Sequence, residues 1–218
     1  AVGVANGTDA IELSLRALDI GANDEVITVS HTAVATVAAV EAVGASPVLV
    51  DVESQFYTLN PFQLEEVTTA KTKAVIVVHL YGQAGNMEEI KSFCSKHSLF
   101  LIEDVSQAHG AKYNGKRLGS IGDIGCFSCY PTKNLGAIGD AGLITTNNTN
   151  LATKIRMLRE YGWNERISEF SGRNSRLDEL QAAILRVKLK HLDADNSKRR
   201  QLAEYYIYDL ADSPIQLP

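Results

Sequence analysis

An α/β fold, with a mainly parallel mixed sheet and helices on both of its faces, is predicted by three features of the sequence. Short apolar runs rich in β-branched residues recur before residue 103. Each is continuous rather than alternating, as in strands covered on both faces. Helix-length segments separate the runs, which is the order of βαβ units. The 218 residues are 45% hydrophobic and 22% charged with 5 Pro, a balance that supports a packed core and excludes a disordered chain.

The elements follow in order. Ala1–Ala5 reads as a strand already under way at the first residue, and Thr8–Leu18 as the helix after it. Val26–Val29 is the next strand, Ala33–Val43 the next helix and Val48–Val50 a third strand. Asn60 followed by Pro61 is a start signal, cap then first helical position, for a helix over Pro61–Ala70. Ala74–Val78, the helix Asn86–His97 and the strand Leu99–Ile102 complete the alternation. Gly115–Gly142 then holds seven of the 16 Gly and little helical periodicity. Helical patterns return at Leu151–Tyr161, Ser175–Leu192 and Ser197–Leu210. Leu177, Leu180, Ile184, Val187 and Leu192 form an apolar stripe fit for a core or a dimer surface.

Composition removes several functions. The formal net charge is −5, which gives no reason to expect nucleic acid or an anionic membrane as a partner. No apolar run approaches the ~20 residues of a membrane span. Three Cys make no disulfide framework, so the cytoplasm is the expected location. Cys126 and Cys129 lie three apart on a strand-like segment and point to opposite faces, favouring small core residues over a redox pair. The Gly119/Gly122/Gly125 and Gly136/Gly139/Gly142 spacings match neither a dinucleotide fingerprint nor a P-loop. The five His show no metal-ligand spacing, and His97 and His191 are expected at solvated helix ends.

In open α/β sheets ligands bind beyond the carboxyl ends of the strands, and polar groups gather there. Asn6-Gly7-Thr8-Asp9-Ala10 is a strand-to-helix turn suited to an anion, or simply a helix cap. Asp104 ends an apolar strand; it is either a structural acid bonded to loop amides or a carboxylate facing a cationic ring nitrogen. Lys133, in Ser128-Cys129-Tyr130-Pro131-Thr132-Lys133-Asn134, has no acid beside it in the chain and sits where either a surface lysine or a Schiff-base amine would be placed.

Taken together and in this order, Asn6-Gly7-Thr8-Asp9-Ala10, Asp104-Val105-Ser106-Gln107-Ala108-His109-Gly110, Phe127-Ser128-Cys129-Tyr130-Pro131-Thr132-Lys133-Asn134-Leu135-Gly136 and Asn174-Ser175-Arg176-Leu177-Asp178-Glu179-Leu180-Gln181-Ala182-Ala183 resemble the DegT/DnrJ/EryC1/StrS family over essentially the whole chain. These are pyridoxal 5′-phosphate-dependent sugar aminotransferases of fold type I. The resemblance implies that Lys133 carries the cofactor as a Schiff base, Asp104 pairs with the pyridine nitrogen, and Gln107 lies by the ring and its 3-hydroxyl. It implies that Ser128, Thr8 and Asp9 hold the phosphate, and that Asn174 reaches the neighbouring subunit's site, so that the active unit is a homodimer.

The implied reaction is transamination of a nucleotide-linked keto sugar with an amino acid donor, L-glutamate by resemblance. His31-Thr32-Ala33-Val34-Ala35-Thr36 and Asn134–Gly142 look closest to members acting on dTDP-3-keto-6-deoxyhexoses. The alternatives are another fold-type I enzyme acting on an amino acid, or a non-catalytic cofactor-binding module. Ala33 stands where the family often has an aromatic residue stacked on the ring, leaving His31 or another residue to supply that contact. Lys133 argues against the dehydratases of the family, which carry histidine there. The resemblance divides the chain into a cofactor domain, 1–192, and a helix, 193–218, that leads into a small domain. Both ends are expected to be cut, with a helical segment before Ala1, the small domain after 218, and weak cofactor binding by the 218 residues alone.

Overall fold

The computed structural model describes residues 1–215. Strand β1 (Val2–Val4) leads through Asn6 into α1 (Gly7–Ala17), and the Asn6 side chain caps that helix by accepting the Asp9 amide at 2.8 Å. β2 (Glu25–Val29), α2 (Val34–Ala42) and β3 (Ser46–Val50) follow. A 3-10 turn at Pro61–Gln63 and α3 (Leu64–Val67) precede β4 (Thr72–Val78); a second turn at Leu80–Gly82 precedes α4 (Met87–His97) and β5 (Phe100–Asp104). The ribbon β6 (Lys112–Tyr113) and β7 (Lys116–Arg117) opens the Gly-rich region, which holds β8 (Ile124–Ser128) and β9 (Gly142–Thr145). The chain continues as α5 (Thr149–Leu158), a ribbon of β10 (Trp163–Asn164) and β11 (Ile167–Ser168), α6 (Glu179–Leu189) and α7 (Leu192–Asp209).

The main sheet has the order β1-β9-β8-β5-β4-β2-β3. Strands β3, β2, β4, β5 and β8 are parallel neighbours, whereas β9 runs antiparallel to both β8 and β1. Strand alternation builds two cores. Ala74 and Ile76 of β4 join Ile11, Leu15 and Ile155 on one face, and Val75 and Val77 join Met87, Ile90 and Leu64 on the other. The expected mixed, mainly parallel sheet covered on both faces is therefore present.

Four expectations change. The helix over 61–70 is only a 3-10 turn and one α-turn ending at Val67. Thr68 turns its hydroxyl back on the Leu64 carbonyl at 2.6 Å instead of extending the helix. β3 is an edge strand with Leu49 exposed, not a strand buried on both faces. The helix expected from Ser175 starts at Glu179, because the Ser175 hydroxyl accepts the Ala5 amide at 3.1 Å and ties that segment to β1. His97 is half-buried, stacked on Phe93 with ring centroids 4.3 Å apart and hydrogen-bonded to Glu65 at 3.1 Å.

The stripe of Leu177 to Leu192 divides. Leu192 joins Leu185, Cys129 and Leu135 in a third small core, while Leu180 and Val187 are exposed. The three thiols are free and buried. Burial pushes Cys94 and Cys129 up to about 12 and Cys126 higher still, which leaves them as inert core groups. Among the described residues no helix is long and apolar enough to cross a membrane, and no cluster of potential metal ligands occurs.

Candidate active site

The carboxyl ends of β1, β2, β4, β5 and β8 open on a cavity of about 570 Å³. It brings together Thr8, Asp9, Asp104, Gln107, Ser128 and Lys133 from segments far apart in the chain. Asn174 is not among the residues that line it; it is exposed and bridges to Glu160.

Asp104 is the last residue of β5 and is buried. Each carboxylate oxygen has its own donor: the Ser106 amide meets Oδ1 at 3.1 Å, and the buried Thr36 hydroxyl meets Oδ2 at 3.0 Å. Thr36 is in turn within 2.9 Å of the Thr32 hydroxyl. The carboxylate is thus fixed in rotation while still lining the cavity. Its neighbour Glu103 takes the structural role that the sequence left open for Asp104. Glu103 is fully buried and accepts the amides of Gly119, Ile121 and Gly122 at 2.7–2.8 Å, with His79 at 3.2 Å. Burial raises its pKa, but the His79 and loop-amide hydrogen bonds outweigh that and hold it below the usual carboxylate range. Glu103 is the acid that organises the loop, and Asp104 is left for the cavity.

One end of the cavity is built by α1 and β8. Asn6 takes the amides of Asp9 and Ala10, so among the described residues the amides of Gly7 and Thr8 meet no acceptor at the helix start. A Cβ on Gly7 would lie 2.6 Å from the Ser128 Cβ; glycine is what lets these amides approach the Ser128 hydroxyl. Ser128 is held by its own amide, which donates to the Ser106 hydroxyl at 3.1 Å. Asp9 is buried and meets the Arg173 guanidinium at 3.5 Å, an ion pair that the sequence did not suggest.

Lys133 follows Tyr130-Pro131-Thr132 in a turn closed by its amide on the Tyr130 carbonyl at 2.9 Å. It is half-buried and forms no ion pair among the described residues. Gln107 is exposed at the rim. Ala33 lines the cavity as the cap of α2, whereas His31 is exposed and turns its Nε2 to the Tyr81 hydroxyl at 3.0 Å. Tyr81 itself has φ 58°.

Sequence reasoning missed Thr36 and Ser106. Both had a signal: Thr36 stands four residues after Thr32 and is the one polar residue between Val34 and Val40, and Ser106 stands two residues beyond an Asp, the spacing of an Asx turn.

The sequence model of the DegT/DnrJ/EryC1/StrS aminotransferase family matches residues 1–218. The chain is 53% identical over 218 residues to dTDP-3-amino-3,6-dideoxy-alpha-D-galactopyranose transaminase of Aneurinibacillus thermoaerophilus, covering 100% of this chain and 60% of that protein. Among solved structures it is similar to Streptomyces venezuelae DesV in complex with a ketimine intermediate, with TM-score 0.95 and 45% identity over 100% of this chain and 60% of that one. It is also similar to NtdA of Bacillus subtilis with bound cofactor PMP, with TM-score 0.91 and 37% identity over 97% of this chain and 48% of that one. The chain spans about 60% of the length of the curated relatives it matches.

Proposed function

Because the chain belongs to the DegT/DnrJ/EryC1/StrS aminotransferase family, we propose that it forms the cofactor-binding part of a pyridoxal 5′-phosphate-dependent transaminase of a nucleotide-linked keto sugar. The observation that carries this reading is the cavity itself: Asp104 held by two donors and, among the described residues, Lys133 outside any ion pair and α1 amides without acceptors beside Ser128 all open on one space. That donor set matches the group. The free amides and two hydroxyls suit a phosphate dianion, the fixed carboxylate suits a protonated ring nitrogen, and the lysine suits an aldehyde.

When bound, the cofactor supplies an electron-withdrawing ring that takes up the electron pair released at the reacting carbon. The chain's own residues do the rest. Thr8 and Ser128 would hold the phosphate. Asp104 would keep a proton on the ring nitrogen, and the Thr36 and Ser106 bonds hold its carboxylate in a fixed orientation for that. Gln107 flanks the ring from the rim. Lys133 Nζ would hold the aldehyde carbon. Freed by an amino donor, Nζ would carry a proton from the donor's α-carbon to that former aldehyde carbon.

The names of the relatives support a dTDP-linked 3-keto-6-deoxyhexose as acceptor, and L-glutamate is the proposed donor. We assign residues 1–192 to the cofactor domain and 193–218 to the connection toward a small domain, and the working unit to a homodimer in which Asn174 serves the partner's cavity. Free, buried thiols suit a cytoplasmic setting. The test is spectroscopic and chemical. The full protein with added pyridoxal 5′-phosphate is expected to show the visible Schiff-base band and to move nitrogen from L-glutamate to a dTDP-3-keto-6-deoxyhexose, and Lys133→Ala to lose both. Absence of the band in the unaltered protein, or transfer to free keto acids alone, rules this reading out.

A further inference from the structure

We propose that one face of α7 forms an anion subsite beside Lys133, with Arg199 and Arg200 receiving the negatively charged end of a substrate. The inference rests on the transaminase reading and extends it to residues outside the cofactor cavity.

A second cavity, of about 760 Å³, adjoins the first and shares Ser106, Gln107, Thr132 and Lys133 with it. Its far wall is α7, through Asn196, Arg199, Arg200 and Ala203. These positions recur at three- and four-residue spacing, so they form one face of the helix. No carboxylate lines this cavity among the described residues. Neither arginine forms an ion pair among the described residues. The two guanidinium groups and Lys133 are therefore the charged groups facing the space.

The face is held in place. Asn196, one turn before Arg199 and Arg200, is buried; its amide donates to the His109 carbonyl at 2.7 Å and its oxygen accepts from Asn134 at 2.9 Å. It thereby fastens α7 to the loop that carries Gln107 and to the residue after Lys133. Arg117 reinforces the join, binding Asp193 with both of its terminal nitrogens at 2.7 and 2.8 Å and the Gly110 carbonyl at 2.6 Å. A helix pinned at its first two turns presents the next turn's arginines at a set position, which lowers the ordering cost of binding an anion. Guanidinium groups suit two anion geometries, a carboxylate and a phosphate. Both occur in the proposed reaction, as the carboxylates of the amino donor and the diphosphate of the sugar nucleotide.

The experiment compares the full, cofactor-loaded protein with R199A/R200A and R199K/R200K. Thymidine diphosphate binding is measured by calorimetry, and conversion of the visible band by L-glutamate alone is followed by stopped flow. If the subsite takes the diphosphate, R199A/R200A weakens thymidine diphosphate about tenfold or more and leaves the L-glutamate half-reaction as it was. If it takes the donor, the L-glutamate concentration for half-maximal rate rises by that factor and thymidine diphosphate binding stays. In either case R199K/R200K recovers part of the loss, which a purely structural role would not give. Unchanged binding of both ligands in R199A/R200A overturns the proposal while the visible band persists. A missing band in the unaltered protein counts against the transaminase reading instead. Should R199A/R200A fail to fold, inhibition of the unaltered protein decides. Inorganic pyrophosphate competing with thymidine diphosphate or L-glutamate supports the subsite, and lack of competition with both overturns it.

Discussion

On β5 two buried carboxylates, Glu103 and Asp104, stand side by side, and strand alternation sends them to opposite faces. Glu103 meets three loop amides and His79, whereas Asp104 meets two donors and keeps access to the cavity. An apolar strand that ends in two acids displays both in the sequence, but which one is consumed by a loop depends on where residues 119–122 return, and that is a tertiary fact. Two groups here make the fold acid-sensitive. His109 is buried, and neither ring nitrogen has a partner at good geometry. Burial, with a smaller push from Lys133 and against the Ser128 backbone, lowers its pKa from 6.5 to about 4. The folded state therefore binds fewer protons than the unfolded one. The neutral ring is compatible with folding above pH 6.5, and stability falls as the pH drops from 6.5 to 4, by on the order of 3 kcal/mol. Glu103, with its lowered pKa, adds a decline below pH 4.5 for the same reason. His109→Leu is expected to flatten the first decline and keep the second, read from urea midpoints at pH 7.5, 5 and 4. An equally steep fall between 7.5 and 5 in the variant would show that another group titrates there.

At the scale of elements, the buried strands were readable because β2 and β4 contain the unbroken β-branched runs Val26–Val29 and Val75–Val78 and have strands on both sides. β3 shares their apolar run but carries Pro47, a residue that sheets tolerate at an edge, and it lies at one. Residues 61–70 carried a good helix start, yet Thr68 and Thr69 turn their hydroxyls to the backbone and to Glu25 and end it early. The start of α1 was readable as a helix cap, with an anion site as the other reading, but the closeness of β8 to it was not. That closeness gives a prediction. Gly7→Ala places a Cβ 2.6 Å from the Ser128 Cβ and 3.0 Å from its Cα. Backbone on one side and a short side chain on the other leave little room to yield, so α1 must move away from Ser128. Affinity for pyridoxal 5′-phosphate is expected to fall about tenfold or more, while affinity for pyridoxal, which has no phosphate, changes little. Fluorescence titration with both compounds checks this; an equal loss for the two would place the damage elsewhere than at the phosphate.

For the whole molecule, the position of Asn174 decides how sites are counted. The segment around it is fastened from three sides. Arg173 is paired with Asp9 and Glu12 of α1, the Ser175 hydroxyl accepts the Ala5 amide, and the Ser175 amide donates to the Arg159 carbonyl. Asn174 projects between these anchors, exposed and outside its own chain's cavity. A residue whose backbone is so anchored yet which does not line its own chain's cavity is suited to a symmetric partner, since an isologous interface gives each copy what it lends. The exposed side chains of Leu180 and Val187 on α6 and of Ile138, whose amide is held by Gln181 on the same helix, provide apolar surface for such a pairing. The prediction is a mixing experiment on the full protein. Lys133→Ala and Asn174→Ala are purified separately, each with low activity, then unfolded, mixed and refolded. If Asn174 acts in the partner's cavity, each mixed dimer has one site with both residues intact, and activity rises above both parents. If Asn174 acts within its own chain, every site in the mixed dimer lacks one residue or the other, and the mixture stays at the level of the parents.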